Sequence, residues 1–156
     1  MTWLENSQSI DGFMSDNELT WLYESVKSLP PHSQIVEIGS WMGRSASALL
    51  QAAHSTHTIY CVDNFTPNAE DPHCFEIAKH INIHQRFTEN MDKFNLHPTL
   101  IIENSVKAAQ YFKDFSLDMV FIDGDHFRFD LDLEAWYQKV KPGGILCGHD
   151  YGIETI

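Results

Sequence analysis

The segment from Leu117 to Tyr151, LDMVFIDGDHFRFDLDLEAWYQKVKPGGILCGHDY, decides the fold that we predict for the chain. Residues 119–122 (MVFI) form a short apolar run of the kind found in strands buried on both faces. The turn KPGG at 141–144 comes before a second apolar run at 145–147. Two strands joined by a helix predict a parallel βαβ unit. The helix is predicted from apolar residues at three- and four-residue steps, which are Phe129, Leu133, Trp136, Tyr137 and Val140.

Both predicted strands of this unit end in polar residues. The first runs into the turn DGDH at 123–126, and the second stops at His149 and Asp150. Parallel strands place their carboxyl ends at one edge of the sheet, and open α/β sheets bind ligands at that edge. We therefore expect four ionisable groups to meet there. They are Asp123, Asp125, His149 and Asp150.

Length and charge limit what the chain can do. Its 156 residues are enough for a hydrophobic core, and we predict one domain over 1–156, with an N-terminal lead-in and helix at 1–31 and the core at 32–156. The 10 basic and 22 acidic residues give a net charge of −12, which argues against nucleic acids and anionic membranes as partners. Three cysteines without CxxC spacing, no signal-peptide pattern and no apolar run of membrane length favour a cytoplasmic protein.

A strand-to-helix turn with two glycines lies nearer the N-terminus. The predicted strand 34–38 leads into Gly39 and Gly43, and an Ala- and Leu-rich helix follows over 46–53. Glycines let a ligand approach the backbone, and a helix start offers free N–H groups to an anionic or nucleotide-like ligand. The spacing is GxxxG, so the dinucleotide fingerprint GxGxxG is not met. A turn that merely needs two glycines is an equal alternative for this motif alone.

Two further predicted strands end in residues that suit a nucleoside. The strand 58–62 ends at Asp63, about 20 residues after the glycine turn, where a carboxylate can accept hydrogen bonds from both hydroxyls of a ribose. The strand 98–102 precedes Ser105, which we predict to cap the helix 106–112. In a doubly wound nucleotide fold Ser105 would also lie near an adenine ring, and both roles are compatible.

The order of the predicted elements indicates the fold class. Strands and helices alternate, which predicts an α/β fold: a doubly wound, Rossmann-like parallel sheet in the order 3-2-1-4-5 with helices on both faces. A helix that begins near Ser15 or Asp16 and ends before Pro30 packs on this core. A further helix over 75–95 is interrupted near 82–84.

Four ordered motifs carry a resemblance to a known family. They are VEIGSWMGRS at 36–45, VD at 62–63, FIDGDH at 121–126, and KPGG at 141–144 with GHDY at 148–151. With these motifs the chain resembles the class I S-adenosylmethionine-dependent methyltransferases, and within them a small group with the same turns. The resemblance implies transfer of a methyl group from S-adenosyl-L-methionine to a small-molecule acceptor, foremost at oxygen.

The resemblance also implies where the cofactor binds. The turn around Gly39 would surround the methionine part, Asp63 would hold the ribose, and Ser105 would lie near adenine. The full set of implied cofactor-binding residues is Glu37, Gly39, Ser40, Gly43, Asp63, Asn64, Ser105 and Asp123.

A metal ion and a proton acceptor are further implications of the resemblance. In related metal-dependent O-methyltransferases, residues ending the fourth and fifth strands bind a divalent ion such as magnesium or manganese, and the matching residues are Asp123, His149 and Asp150. The implied catalytic residues are Asp123, Asp125 and His126. The ion would lower the pKa of the acceptor hydroxyl, Asp123 would lie where cofactor and acceptor meet, and Asp125 or His126 would take the proton. An imidazole ligand suits manganese better than magnesium. The alternative is that His149 and Asp150 only close the cofactor pocket.

Chain length and activity leave alternatives open. Relatives continue beyond GHDY with a helix and an antiparallel strand pair, which this sequence lacks. We therefore expect either a truncation or a five-stranded sheet whose open edge a second chain could cover, as in a homodimer. The alternative functions are cofactor binding without methyl transfer and a truncated hydroxylase-associated relative. An NAD-dependent oxidoreductase is disfavoured because GxGxxG is missing.

Overall fold

The computed structural model describes residues 1–149, apart from the side chain of His126, and the predicted metal ligand Asp150 lies outside the described residues. Within that range no helix is both long and apolar enough to cross a membrane. The elements in chain order are α1 (Trp3–Gln8), α2 (Asp16–Lys27), β1 (Gln34–Ile38), α3 (Arg44–Ala52), β2 (Thr58–Val62), α4 (Pro72–Ala78), α5 (Ile83–Lys93), β3 (Thr99–Ile101), α6 (Ser105–Ala108), β4 (Leu117–Ile122), α7 (Phe129–Tyr137) and β5 (Val140–Gly148).

The strands of residues 1–149 form one parallel sheet in the order β3-β2-β1-β4-β5, which confirms the predicted fold. The central strand β1 places Ile35 opposite Ile59 of β2 and opposite Met119 of β4. The chain runs from β1 outward to β3 and then crosses back to β4, so the strand order reverses between β1 and β4. A crevice opens at the carboxyl ends of the strands at such a point, and α/β sheets bind ligands there.

Alternate residues of the central strands point into two hydrophobic layers. Ile35 and Met119 pack with α2, α3 and α5, while Val36 and Val120 pack with α6 and α7. Trp136 of α7 is fully buried in the second layer. Burying one such large apolar side chain contributes about 2 kcal/mol. The two layers thus hold the strands from both faces and fix the position of their carboxyl ends.

The N-terminal segment contains a helix that apolar periodicity did not predict. α1 follows Thr2, whose hydroxyl accepts a hydrogen bond from Glu5 N while the Glu5 carboxylate accepts one from Thr2 N. Such a capping box starts a helix without an apolar pattern. α2 begins where predicted, because Ser15 and Glu18 form a second capping box. Ile10 is 1% exposed and anchors the loop between the two helices on the core.

Two predicted helices have different boundaries. The helix predicted over 75–95 is divided into α4 and α5, and the Asn82 side chain caps α5. The predicted capping role of Ser105 is wrong, because Asn104 accepts the hydrogen bond from Lys107 N and Ser105 is the first helical residue. The hydroxyl of Ser105 therefore has a different partner.

The segment between α7 and the end of β5 also departs from the prediction. α7 ends at Tyr137 rather than near Val140, and KPGG at 141–144 lies inside β5 instead of in a turn. The pairing register between β4 and β5 shifts between Leu117 and Met119, so residues 141–144 form an irregularity in β5. Gly143 permits it with a φ of +81°.

The buried face of α7 is rotated from the predicted one. Trp136 is buried as expected, but Leu133 is 38% exposed and Tyr137 is 67% exposed. Asp132, only 3% exposed, takes a buried place on the helix instead. Carboxylates are seldom buried unless they are paired, so Asp132 requires a hydrogen-bonding explanation.

Gly39→Ala should destabilise the fold far more than Gly143→Ala. Gly39 has a φ of +83°, and an added Cβ would lie 2.1 Å from the carbonyl oxygen of Asp123. We expect the free energy of unfolding to fall by about 3 kcal/mol, because two backbone segments of the sheet would have to separate. At Gly143 the φ is +81° but no atom lies within 4 Å of an added Cβ, so this control has only the backbone cost, about 1 kcal/mol. Urea denaturation measures both variants, and equal losses would contradict the expected role of Gly39.

Candidate functional site

A cavity of about 570 Å³ opens at the carboxyl edge of the sheet. Its volume lies in the range of pockets that hold small ligands and cofactors. Glu37 and Gly43, two of the predicted cofactor-binding residues, do not line it. The predicted residues that do line it are Gly39, Ser40, Asp63, Asn64, Ser105, Asp123, Asp125 and His149.

The glycine turn after β1 joins three strand ends. Gly39 N donates to Val62 O at 2.9 Å, and Asp123 N donates to Ile38 O at 2.8 Å. Gly43 begins α3 with a φ of +95°, and a Cβ there would lie 2.6 Å from a methionine side chain of α5. The positive φ of Gly43 therefore favours glycine at this turn, and its contact with a cofactor stays a prediction.

Glu37 is fully buried behind the glycine turn. Its Oε2 accepts a hydrogen bond from Ser40 Oγ at 2.6 Å, while Oε1 has no hydrogen-bonding partner within the described residues. Burial raises the pKa of Glu37 to about 7, although the hydrogen bond from Ser40 acts in the opposite direction. Since Ser40 lines the cavity and Glu37 does not, Glu37 acts on the cavity by fixing Ser40.

Asp63 joins two loops of the cavity wall. One of its oxygens accepts a hydrogen bond from Trp41 N at 2.8 Å, and the other accepts one from Phe65 N at 2.7 Å. Trp41 and Phe65 have φ angles of +48° and +53°, which residues other than glycine seldom adopt without support. Burial raises the pKa of Asp63, whereas these backbone hydrogen bonds lower it. Each oxygen has a second lone pair, so Asp63 can also accept hydrogen bonds from a ligand.

His149 lies between two carboxylates. Its Nδ1 is 3.3 Å from Asp123 Oδ1, and its Nε2 is 3.3 Å from Glu18 Oε1. The other oxygen of Glu18 accepts hydrogen bonds from the backbone and the hydroxyl of Ser15 at the start of α2. Sequence reasoning missed Glu18 as a site residue, because its position in a capping box already explains a glutamate.

The described residues do not by themselves form the predicted metal site. Within residues 1–149, no group of three His, Cys, Asp or Glu side chains is arranged to hold a metal ion. Two predicted ligands, Asp123 and His149, contact each other, and the third, Asp150, lies outside the described residues. A divalent ion stays a prediction, and no chemical step is assigned to it.

Asp125, a predicted proton acceptor, supports two loops. Both of its oxygens accept from Asn68 Nδ2 at 2.9 Å, and Oδ1 also accepts from Phe127 N at 3.0 Å. The carboxylate thus joins the loop after β2 to the 3-10 turn His126–Arg128. Catalytic roles for Asp125, and for His126 with its undescribed side chain, stay predictions.

Asp132 lines the cavity without having been a candidate from the sequence. Its Oδ1 accepts a hydrogen bond from Ser105 Oγ, which links the start of α6 to α7. Burial raises the pKa of Asp132, while the hydrogen bond from Ser105 lowers it. The spacing of Asp132 could have indicated that it faces the core, because it lies three residues after Phe129 and four before Trp136, on the apolar side of the helix.

The loop between α1 and α2 covers one side of the cavity. Arg44 Nη1 donates to Gly12 O at 2.6 Å, and a Cβ at Gly12 would lie 2.9 Å from the Arg44 side chain. Phe13 is 54% exposed, with its ring centroid 6.3 Å from that of Trp41 and 5.7 Å from that of His73. Sequence reasoning assigned no role to this loop, whose aromatic side chain lies at the cavity.

Comparison with known proteins identifies the family. Residues 36–151 match a family model described as a methyltransferase domain. The chain belongs to this methyltransferase family. The match covers most of the sheet and the cavity-lining residues that follow its strands.

Solved structures share the fold of this methyltransferase domain at low sequence identity. A protein from Corynebacterium glutamicum is 11% identical over 95% of this chain, with a TM-score of 0.70. A methyltransferase from Podospora anserina, solved with SAH bound, is 16% identical over 93%, with a TM-score of 0.67. A SAM-dependent O-methyltransferase from Thermotoga maritima is 12% identical over 92%, with a TM-score of 0.66. The match covers 66%, 59% and 48% of these three chains, respectively.

Glu37→Gln should flatten the pH dependence of stability. The pKa of folded Glu37, about 7, lies above its ordinary value of 4.5, so its contribution to stability is fully present below pH 4.5 and is lost as pH rises through 7. The difference between the two pKa values corresponds to roughly 3 kcal/mol. In urea denaturation at pH 5 and pH 8, the wild type should lose more stability than the variant. The exposed Glu134→Gln is the control, and equal pH dependence of wild type and Glu37→Gln would contradict the expectation.

Proposed function

We propose that this chain is an S-adenosyl-L-methionine-dependent methyltransferase that acts on a small-molecule acceptor, with oxygen as the methylated atom. The observation that carries the proposal is the meeting of Gly39, Asp63 and Asp123 in one cavity where the strand order reverses. Family membership and the SAH-bound Podospora anserina methyltransferase support the cofactor. The SAM-dependent O-methyltransferase from Thermotoga maritima supports oxygen as the acceptor atom.

The cavity would offer partners to the ribose and to the methionine part of this cofactor. Asp63 would accept hydrogen bonds from the ribose hydroxyls, and the methionine part would lie along Gly39, whose missing Cβ allows close approach. Seven Asp or Glu residues of the described part line the cavity, against Arg44 as the one Lys or Arg. This charge balance favours a positively charged sulfonium centre over an anionic ligand. When bound, the cofactor would supply an electrophilic methyl group.

Methyl transfer to a hydroxyl releases one proton from the acceptor, while the sulfur keeps the electron pair of the broken C–S bond. We assign that proton to the carboxylate of Asp123, which ends β4 and is 17% exposed. His149 Nδ1, 3.3 Å from Asp123 Oδ1, keeps this carboxylate oriented. The enclosing walls would hold both reactants in line and limit access of water.

Cofactor binding without methyl transfer stays the alternative that the sequence left open. A homodimer and a cytoplasmic location stay predictions from the sequence.

Metal assistance through Asp123, His149 and Asp150 is tested by measuring S-adenosylhomocysteine binding with Mg²⁺, with Mn²⁺ and with EDTA. Affinity that responds neither to the ions nor to Asp123→Ala would remove the metal from the proposal.

Calorimetric titration with S-adenosylhomocysteine tests the cofactor. Folded wild-type protein should bind it, and Asp63→Ala should bind it at least about tenfold more weakly, because charged hydrogen bonds to the ribose are lost. Glu70→Gln changes an exposed residue of the same loop region and should bind like wild type. Absence of binding by the wild type would overturn the cofactor assignment.

The role of Asp63 in holding Trp41 and Phe65 is separated from its ribose contact by a second ligand. The 2′-deoxy analogue of S-adenosylhomocysteine lacks one hydroxyl, so wild type should bind it more weakly than the parent compound. Asp63→Ala should bind both ligands alike if the carboxylate contacts that hydroxyl. A preserved difference in the variant would assign the loss of affinity to the loops alone.

Asp123→Asn should abolish most turnover and retain cofactor affinity. We expect kcat to fall about 100-fold, because the amide of asparagine cannot take the proton that the methyl acceptor releases. The affinity for S-adenosylhomocysteine should change by less than about threefold. Release of S-adenosylhomocysteine is measured with a panel of small phenols and other hydroxylated compounds, with the exposed Asp92→Asn as control. Wild-type binding without turnover on any panel member would favour cofactor binding without methyl transfer.

A further inference from the structure

The side chain of Glu18 contacts one edge of the His149 ring without lining the cavity. Its Oε1 is 3.3 Å from His149 Nε2, while His149 Nδ1 is 3.3 Å from Asp123 Oδ1. His149 and Asp123 line the cavity, whereas Glu18 does not. Any influence of Glu18 on a reaction in the cavity would therefore pass through the imidazole of His149.

The carboxylate of Glu18 is held independently of His149. Its Oε2 accepts hydrogen bonds from Ser15 N at 2.8 Å and from Ser15 Oγ at 2.7 Å. The next residue of α2, Leu19, is fully buried in the core, which fixes the backbone at Glu18. An exposed ion pair usually contributes little, because two flexible side chains must be ordered. Since Ser15 already orders one of them, Glu18 presents a fixed acceptor to His149.

The backbone of His149 is fixed beside Asp123, but its ring requires a further contact. His149 N donates to Ile122 O at 3.1 Å, and Asp123 follows Ile122 directly, so both side chains start at the ends of neighbouring strands. This hydrogen bond leaves the side-chain torsions of His149 unrestrained. The two ring nitrogens lie on different edges of the imidazole, so a partner at each edge defines the orientation of the ring. With Nε2 at Glu18, Nδ1 faces Asp123.

We propose that Glu18 is a positioning residue for methyl transfer, which holds the imidazole of His149 and through it aligns the Asp123 carboxylate with the acceptor hydroxyl. This inference rests on the proposed function, which assigns the released proton to Asp123. Without Glu18 the ring would turn about its side-chain torsions, and Asp123 Oδ1 would lose a fixed partner. A carboxylate takes a proton less effectively when its orientation varies, because the proton must lie within hydrogen-bonding distance.

Steady-state kinetics of Glu18→Ala test this role with an acceptor from the panel of hydroxylated compounds. We expect kcat to fall about tenfold, because a misaligned proton acceptor slows the chemical step. The KM for S-adenosyl-L-methionine and the affinity for S-adenosylhomocysteine should change by less than about twofold. Ser15→Ala is the matched control, since it removes the capping hydroxyl from the same helix start and leaves Glu18 in place. It should lower the midpoint of urea denaturation and keep the kcat of the wild type.

A double-mutant cycle measures whether Glu18 acts through Asp123. The loss of kcat caused by Glu18→Ala should disappear in the Asp123→Asn background, because an amide that takes no proton does not depend on this alignment. A role of Glu18 in folding alone would lower kcat by the same factor in both backgrounds.

NMR resonances of the His149 ring test the contact without turnover. They are assigned by their absence from the spectrum of His149→Gln. We expect them to shift in Glu18→Ala, because a carboxylate 3.3 Å from the ring is removed, and to keep their positions in Ser15→Ala. Ring resonances that are unchanged in Glu18→Ala overturn the inference.

The outcomes separate this inference from the proposed function. A wild type that binds no S-adenosylhomocysteine, or that methylates no member of the panel, overturns both. An active wild type whose kcat is unchanged in Glu18→Ala, or falls equally in Ser15→Ala, overturns only the role of Glu18. Equal losses of kcat in the wild-type and Asp123→Asn backgrounds do the same.

Glu18→Asp decides the case if Glu18→Ala does not fold. Aspartate keeps a carboxylate in the first turn of α2, where it suits the helix dipole. Its side chain is one methylene group shorter, so it cannot reach Ser15 and His149 together. We expect kcat to fall several-fold with an unchanged circular dichroism spectrum, and an unchanged kcat in folded Glu18→Asp overturns the inference.

Discussion

The close backbone contact between Gly39 and Asp123 is the constraint on which the site depends. Gly39 N donates to Val62 O and Asp123 N donates to Ile38 O, so the ends of β1, β2 and β4 are joined within a few residues of one another. A side chain at Gly39 would force these strand ends apart. Because Asp63 and Asp123 directly follow two of these strands, the same contact brings their carboxylates to one cavity. Backbone contacts at the strand ends therefore fix where the side chains of Asp63 and Asp123 enter the cavity.

The sheet order and the placement of Asp63, Ser105 and Asp123 at its carboxyl edge could be predicted, because buried strands and their connections leave a local record in the sequence. The buried face of α7 could not. Apolar spacing alone turns Leu133 inward, whereas the structure buries Asp132 against Ser105, a residue 27 positions away. A hydrogen bond between distant segments has no counterpart in local periodicity.

The same reason explains why the partner of His149 was missed. Local context accounts for Glu18 as a capping residue, and the resemblance accounted for His149 as a metal ligand. Packing of α2 beside the end of β5 brings their side chains to 3.3 Å of each other. The local sequence around Glu18 and around His149 does not indicate that the two side chains meet. Only the folded structure shows the imidazole of His149 between Glu18 and Asp123.

The two oxygens of Glu18 serve different elements, and this has a consequence for how the molecule fluctuates. One oxygen caps α2, while the other faces His149 at the end of the edge strand β5. Fraying of the first turn of α2 removes support from His149, and displacement of His149 frees the capping carboxylate. We therefore expect local unfolding of the first turn of α2 to be coupled to local unfolding at the end of β5, although the two lie near opposite ends of the sequence.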